Sequence, residues 1–83
     1  MIQAHVVTSV AEAKPLSELK NWAAIRGLRG VMMQASAVGV TFGGRNDQPL
    51  AVPDAAPTDV LPVVHLNDLY LKGAGTVTIV CFL

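Results

Sequence analysis

Hydrophobic and polar residues alternate over the first ten positions of the chain. An alternation with a period of two is typical of a β-strand that turns one apolar face toward a core. The alternation therefore predicts a strand over residues 2–10. Its apolar face would comprise Ile2, Ala4, Val6, Thr8 and Val10.

The period changes after Pro15. Three apolar residues then follow at helical spacing, namely Leu16, Leu19 and Ala23. Proline suits the first turn of a helix, where no amide donor is needed, so the spacing predicts two or three helical turns. Because Trp22 and Ile25 broaden the apolar side, a strand over residues 19–25 stays open as the alternative.

Strand signals return after Gly30 and are broken by loops rich in glycine and proline. The predicted strands cover residues 31–36, 38–42, 50–52, 60–66, 69–72 and 76–83. The two most turn-prone stretches are residues 43–48 and 53–59. About seven short strands at regular intervals predict an all-β sandwich or small barrel. We expect one domain over residues 1–83: a compact antiparallel β-sandwich, jelly-roll-like, with one short helix near the N-terminus.

The last eighteen residues carry the strongest hairpin signal. Residues 69–72 and 76–83 flank the sequence Gly73-Ala74-Gly75, and such spacing predicts antiparallel strands joined by a short loop. The second run is apolar at nearly every position from Val77 onward. We therefore expect it inside a sheet or at a subunit contact, with both faces covered.

Composition adds a reason to expect a protein partner. Hydrophobic residues make up 52% of the 83 positions and charged residues only 14%. A domain of this size buries only roughly 60–65% of the surface that its unfolded chain exposes. The single cysteine, Cys81, excludes an intramolecular disulfide and is expected to be a buried small hydrophobic residue. Some apolar surface is therefore expected to meet another protein.

Candidate catalytic chemistry is sparse. His5 and His65 lie sixty residues apart with no cysteine or carboxylate at metal-ligand spacing, so both are expected to be structural. The aspartates lie in or beside proline-rich loops, where solvation rather than an apolar pocket is expected. We expect no enzyme, cofactor or metal. A formal net charge of zero argues against general nucleic-acid binding. With no signal-like or membrane-spanning stretch, we expect a soluble chain made in the cytoplasm.

Four segments in order resemble small virion structural proteins of tailed bacteriophages. The segments are Val38-Gly39-Val40-Thr41-Phe42-Gly43-Gly44, Gln48-Pro49-Leu50, Leu66-Asn67-Asp68-Leu69-Tyr70-Leu71-Lys72-Gly73 and Gly75-Thr76-Val77-Thr78-Ile79-Val80. The resemblance covers roughly residues 28–83. The glycine that usually follows the Pro-Leu pair is absent, and Val52-Pro53-Asp54 stands there instead.

The resemblance implies a structural role in the virion. It implies a capsid decoration (cement) protein that binds the major capsid protein, or else a neck, tail or head-fibre component. A homo-oligomer, with a trimer as the first expectation, would follow from an icosahedral lattice. Contacts are expected on residues 43–48, on residues 52–59 and on the terminal strands. Because aromatic and arginine residues are enriched at binding hot spots, the candidate anchors are Trp22, Arg29, Arg45 and Tyr70.

A small carbohydrate-binding module is an alternative from another class of function. Sugar sites usually display exposed aromatic rings between polar side chains. Only Trp22 and Tyr70 are candidates for that role, and they fall in unrelated segments of the chain.

Overall fold

The computed structural model describes residues 1–22 and 25–83 as a mostly β protein. One short α-helix, α1, covers Leu16–Leu19, and a single 3-10 turn covers Leu66–Asp68. The seven strands are β1 (Ile2–Ser9), β2 (Lys14–Pro15), β3 (Gly30–Ala35), β4 (Thr41–Gly43), β5 (Leu50–Ala51), β6 (Tyr70–Lys72) and β7 (Gly75–Phe82). The expected strand number and the short N-terminal helix are confirmed.

The strands form two antiparallel sheets. A three-stranded sheet has the order β1-β7-β3, and a four-stranded sheet has the order β2-β6-β4-β5. The long pairings lie in the first sheet, where the register runs from Ile2 opposite Phe82 to Ser9 opposite Gly75. β3 pairs with the other side of β7, from Gly30 opposite Phe82 to Ala35 opposite Val77.

β7 lies at the centre of its sheet, as its continuous apolar sequence predicts, but its outward face is not covered within the chain, where Thr76 and Thr78 are exposed. Alternate residues of a strand point to opposite faces, so Val77, Ile79 and Cys81 share one face. All three are 0% exposed. The core combines them with residues of the four-stranded sheet and of α1, such as Leu71 and Leu16. The inner face of the three-stranded sheet therefore supplies much of the core.

The predicted hairpin between the last two strands is wrong. β6 pairs with β2 and β4 in the four-stranded sheet, whereas β7 pairs with β1 and β3 in the other. Residues Gly73 and Ala74 thus carry the chain from one sheet to the other. The amide of Gly73 donates to the carbonyl of Val10 at 2.9 Å, which ties this crossing to the end of β1.

The predicted apolar face of β1 is the exposed face. Ile2 is 65% and Val6 62% exposed, whereas Val7 is 2% and Ser9 1% exposed. The register explains the reversal, because Val7 lies opposite Val77 and His5 opposite Ile79, both on the core side of β7. Packing against β7 therefore decides which side of β1 is buried.

Several other predicted elements are shorter in the structure than the sequence predicts. The helix has a single turn because Lys20 returns to an extended conformation, and Pro15 stands at its N-cap. Ala23 of the predicted helix lies outside the described residues. The predicted strand over residues 38–42 is shortened, since β4 begins at Thr41. Residues 60–66 form an isolated bridge, Leu61 to Val31, instead of a strand.

Candidate functional site

The outward face of the three-stranded sheet carries no ionisable side chain. We call this surface the neutral face. It comprises Ile2, Ala4, Val6 and Thr8 of β1, Thr76, Thr78, Val80 and Phe82 of β7, and Gly30, Met32 and Gln34 of β3. Solvent-exposed sheet faces usually carry charged or polar residues, so an uncharged face on a small domain is unusual.

The neutral face is apolar at one end and polar at the other. Ile2 and Phe82 are paired across the strands, and the next row pairs Ala4 with Val80 and Met32. Val60, which is 54% exposed, covers Gly30 beside the first row.

The opposite end of the neutral face carries hydroxyl groups. The hydroxyl of Thr76 donates to the Oγ of Ser36 at 2.7 Å. Thr8 lies opposite Thr76 on the neighbouring strand. A partner would therefore meet alkyl groups at one end and hydroxyl groups at the other.

A cluster of three side chains packs at the inner side of β1. The rings of His5 and Trp22 meet edge to face with centroids 5.0 Å apart, and the Nζ of Lys20 lies 5.8 Å from the centre of the Trp22 ring. The Nζ of Lys20 is also 3.0 Å from the Nδ1 of His5. Because an ammonium has only donors, Nδ1 accepts, and Nε2–H donates to the Oε1 of Gln3 at 3.1 Å. The contacts fit a neutral imidazole.

Burial, followed by the charge of Lys20, lowers the pKa of His5 below its ordinary value of 6.5. The unfolded chain then binds a proton at a higher pH than the folded chain does. Acidification through about pH 6.5 therefore favours unfolding, and stability rises with pH in that window. The loss of stability is complete once the pH falls below the pKa of His5 in the folded chain.

We expect the unfolding free energy of the protein to fall between about pH 7.5 and about pH 5.5, and part of that fall to vanish in the variant His5→Gln. The measurement is urea unfolding at both pH values. His65→Gln, at an exposed position, is the matched control and should keep the full decrease. An unchanged decrease in His5→Gln would show that His5 is not its source.

Cys81 is confirmed as a buried residue. Its side chain is 0% exposed on the inner face of β7. Burial raises the pKa of its thiol, and the charge of Lys20 opposes that rise. The thiol is therefore protonated at neutral pH, which is the unreactive form.

The structure places the four candidate anchors in different settings. The indole N–H of Trp22 donates to the carbonyl of Leu16 at 2.6 Å, so an internal bond already uses it. Arg29 is exposed at the apolar end of the neutral face, where its guanidinium donates to the carbonyl of Leu83 at 3.2 Å. Its amide also donates to the carbonyl of Phe82 at 2.8 Å.

Arg45 and Tyr70 belong to the four-stranded sheet and its loop. Tyr70 lies opposite Gly43, two residues before Arg45, and its side chain is half-buried. Arg45 is exposed, and its carbonyl accepts from the side chain of Gln48 at 3.3 Å. Arg45 and Tyr70 therefore lie near each other on the four-stranded sheet and its loop. Of the four candidate anchors, Arg29 is the one that lies beside the neutral face.

Two shallow depressions lie away from the neutral face. One, of about 480 Å³, is lined by Trp22, Leu28, His65 and neighbouring residues. The other, of about 420 Å³, is lined by Thr41, Asp47, Gln48, Lys72 and neighbouring residues. Within residues 1–22 and 25–83, no group of three or more His, Cys, Asp or Glu side chains has the geometry of a metal site.

The neutral face lies mainly on the terminal strands, β1 and β7, where contacts are expected from the sequence, but none of the four candidate anchors is one of its residues. Part of the signal was present in β7, whose apolar run continues onto the outward face at Val80 and Phe82. It was also present in β1, whose apolar alternation in Ile2, Ala4 and Val6 was assigned to the core. The missing information was that His5 and Val7 take the core side.

In the part of the chain that the structure describes, no helix is long and apolar enough to cross a membrane. No family model matches the chain, and no curated protein or solved structure is significantly similar to it.

Proposed function

We propose that the chain is a non-enzymatic virion structural protein of a tailed bacteriophage. Its role would be that of a capsid decoration (cement) protein that binds the outer shell of major capsid protein. The neutral face carries this proposal, because an uncharged sheet surface with exposed Ile2 and Val6 is suited to a protein partner. The resemblance of residues 28–83 to small virion proteins supplies the kind of partner.

The pattern of strand pairing supports a jelly-roll sandwich. β1 pairs with β7, β2 with β6 and β4 with β5. β3 bridges to Leu61, which stands where an eighth strand would lie. When the segment at Leu61 is counted as a strand between β5 and β6, the pairing is nested. The first strand pairs with the last, the second with the second to last, and so on inward. A long hairpin folded over itself in this way gives a jelly roll, an architecture used by viral capsid proteins and by lectins.

The size of the neutral face fits a docking surface. β1 and β7, each about 27 Å long, and β3, about 20 Å long, are spaced about 4.8 Å apart and give a face of about 350 Å². The largest apolar patch on a typical monomer is about 300–600 Å² and is often functional. The neutral face, with its hydroxyl-bearing end included, is of that size, and none of its own side chains carries a charge that docking would desolvate.

We expect Thr78→Lys to weaken binding to capsid shells by about tenfold or more, because a lysine there would bring an ammonium group to the centre of the neutral face, where docking would desolvate it. Thr78 is exposed and lies on the central strand. The measurement is co-sedimentation of the purified chain with shells assembled from the major capsid protein of the same phage.

Leu50→Lys is the matched control. Leu50 is 56% exposed on β5 of the other sheet, so the variant gains the same charge on a surface outside the neutral face. We expect its binding to stay within about twofold of the parent chain, and the parent's binding to change little with ionic strength. Equal loss in both variants, or strong salt dependence, would contradict docking through the neutral face. Binding to neck or tail assemblies instead of shells would reject the decoration role.

A further inference from the structure

Within residues 1–22 and 25–83, no strand pairs with the outer edge of β1 in the three-stranded sheet. Met1 and Leu83 exchange backbone hydrogen bonds of 3.1 and 2.8 Å, which fixes the phase of the β1–β7 ladder. Residues of an antiparallel pair alternate between bonded and non-bonded positions. The odd-numbered residues of β1 therefore bond to β7. The N–H and C=O groups that point away from the sheet belong to Ile2, Ala4, Val6 and Thr8.

The opposite edge of the same sheet is covered. Val31 exchanges backbone bonds of 3.0 and 2.7 Å with Leu61. The amide of Thr58 donates to the carbonyl of Met33, and the amide of Ala35 donates to the carbonyl of Pro53, each at 2.8 Å. Residues 53–61 thus occupy the outer side of β3. Among the described residues, this sheet has its open edge at β1.

β1 has none of the features by which proteins protect an open edge. Lysine, proline, a bulge or a very short strand usually prevents edge-to-edge pairing. β1 has eight residues, no charged side chain and no proline. Its register with β7 is continuous from Ile2 to Ser9, without a bulge. An unprotected edge of this length favours pairing with another strand.

We propose that β1 of a second copy of this chain pairs antiparallel with β1 about a two-fold axis beside His5. Ile2 then lies opposite Thr8 of the second copy, and Ala4 opposite Val6. In this register, every outward N–H and C=O group of the four residues finds a partner. The result is a continuous six-stranded sheet whose two neutral faces point to the same side.

The edge of β1 is best suited to pairing with β1 of a second copy of the chain. β1 carries no Asp, Glu, Lys or Arg, so its own side chains cause no like-charge repulsion; the charge closest to the axis is the ammonium of Lys20, 3.0 Å from the Nδ1 of His5 in each copy. The outward N–H groups of one copy lie opposite the outward C=O groups of the other. A two-fold contact of this kind uses the same edge on both copies, so it joins two copies and no more. A ring of three copies joined edge to edge would need a second open edge, and residues 53–61 cover it. The proposed contact therefore gives a dimer, and the trimer expected from the sequence stays a prediction.

The contact is small, so association is expected to be weak in solution. Paired strands meet over a strip about 27 Å long and about 10 Å wide, below the roughly 800 Å² per partner of a standard interface. We expect a dissociation constant between about 10 µM and about 1 mM. If the decoration role holds, the dimer gives docking a joint neutral face of about 700 Å², close to the roughly 800 Å² that a standard interface buries on one partner.

Amide hydrogen exchange of the unmodified chain, followed by NMR at about 20 µM and about 2 mM, tests the pairing without a variant. The amides of Ala4, Val6 and Thr8 should exchange about two- to eightfold more slowly in the concentrated sample than in the dilute one, because the monomer fraction falls by that factor over this range of dissociation constants. Amides of β7 should be protected in both. Exchange of the three β1 amides at the same rate in both samples would overturn the proposal.

Sedimentation velocity over the same concentration range tests the backbone contact. The variant Val6→Pro loses an N–H that the β1–β7 ladder does not use, and should stay monomeric at about 2 mM. Val6→Thr keeps the N–H and a branched side chain, and should dimerise within about threefold of the parent constant. A parent chain that sediments as a monomer at every concentration, or as a trimer, would overturn the proposal. So would a folded Val6→Pro chain that dimerises normally. Neither outcome depends on the capsid role.

Discussion

Replacing Ile79 with alanine should lower the free energy of unfolding by about 2–5 kcal/mol. Ile79 is 0% exposed at the centre of the core side of β7, between His5 and Met33 of the neighbouring strands. Truncation leaves a cavity that β1 and β3 hold open. A chain of 83 residues is expected to have a total stability of about 4–12 kcal/mol. The change should therefore remove a large fraction of the stability, as measured by urea unfolding.

Thr78→Ala is the matched control for Ile79→Ala. Thr78 is the next residue of the same strand, but its side chain is exposed on the neutral face. Its truncation removes no core contact and should cost less than about 1 kcal/mol, the range of strand propensity. A comparable loss in both variants would show that the two faces of β7 do not differ in burial as described.

Replacing Gly73 with alanine should be as damaging, for a reason of backbone geometry. Gly73 has a φ of +102°, which L side chains rarely adopt. A Cβ there would also overlap the carbonyl oxygen of Gly39, a backbone atom that cannot turn aside. Strain and overlap together should cost about 3 kcal/mol or more. Thermal unfolding followed by circular dichroism would show the loss as a lower Tm.

Substitutions at two other glycines distinguish backbone strain from steric overlap as causes of that loss. Gly27 has a φ of +68° with open space around its Cα, so Gly27→Ala should show only the strain, about 1 kcal/mol. Gly44 has open space and no positive φ, so Gly44→Ala should have almost no effect. If Gly73→Ala were no worse than Gly27→Ala, the close contact with Gly39 would not be formed.

The sequence predicted those features of the fold that depend on local composition. β3 and β7 carry enough apolar and β-branched residues to be identified, and the continuous apolar run of β7 predicted its central position. The connection at Gly73 was misread because a short glycine-rich link suits both a hairpin and a crossing between sheets. The choice is made by a distant contact, the bond from the Gly73 amide to Val10.

The buried face of β1 was predicted wrongly for a related reason. Both faces of β1 carry residues that tolerate burial, and local pattern alone favoured the side of Ile2 and Val6. The core instead takes Val7 and His5, because β1 pairs with β7 in a register that places them beside Val77 and Ile79. Register is a property of two strands together, so one strand's alternation cannot determine which face meets solvent.

The most direct test of docking through the neutral face is a cryo-electron microscopy map of capsid shells saturated with this chain. We predict that the three-stranded sheet lies flat against the shell, with Val80 and Thr78 at the centre of the contact and residues 43–48 directed to solvent. A map in which the neutral face points to solvent, or in which the chain contacts the shell through residues 43–48 and the four-stranded sheet, would contradict it.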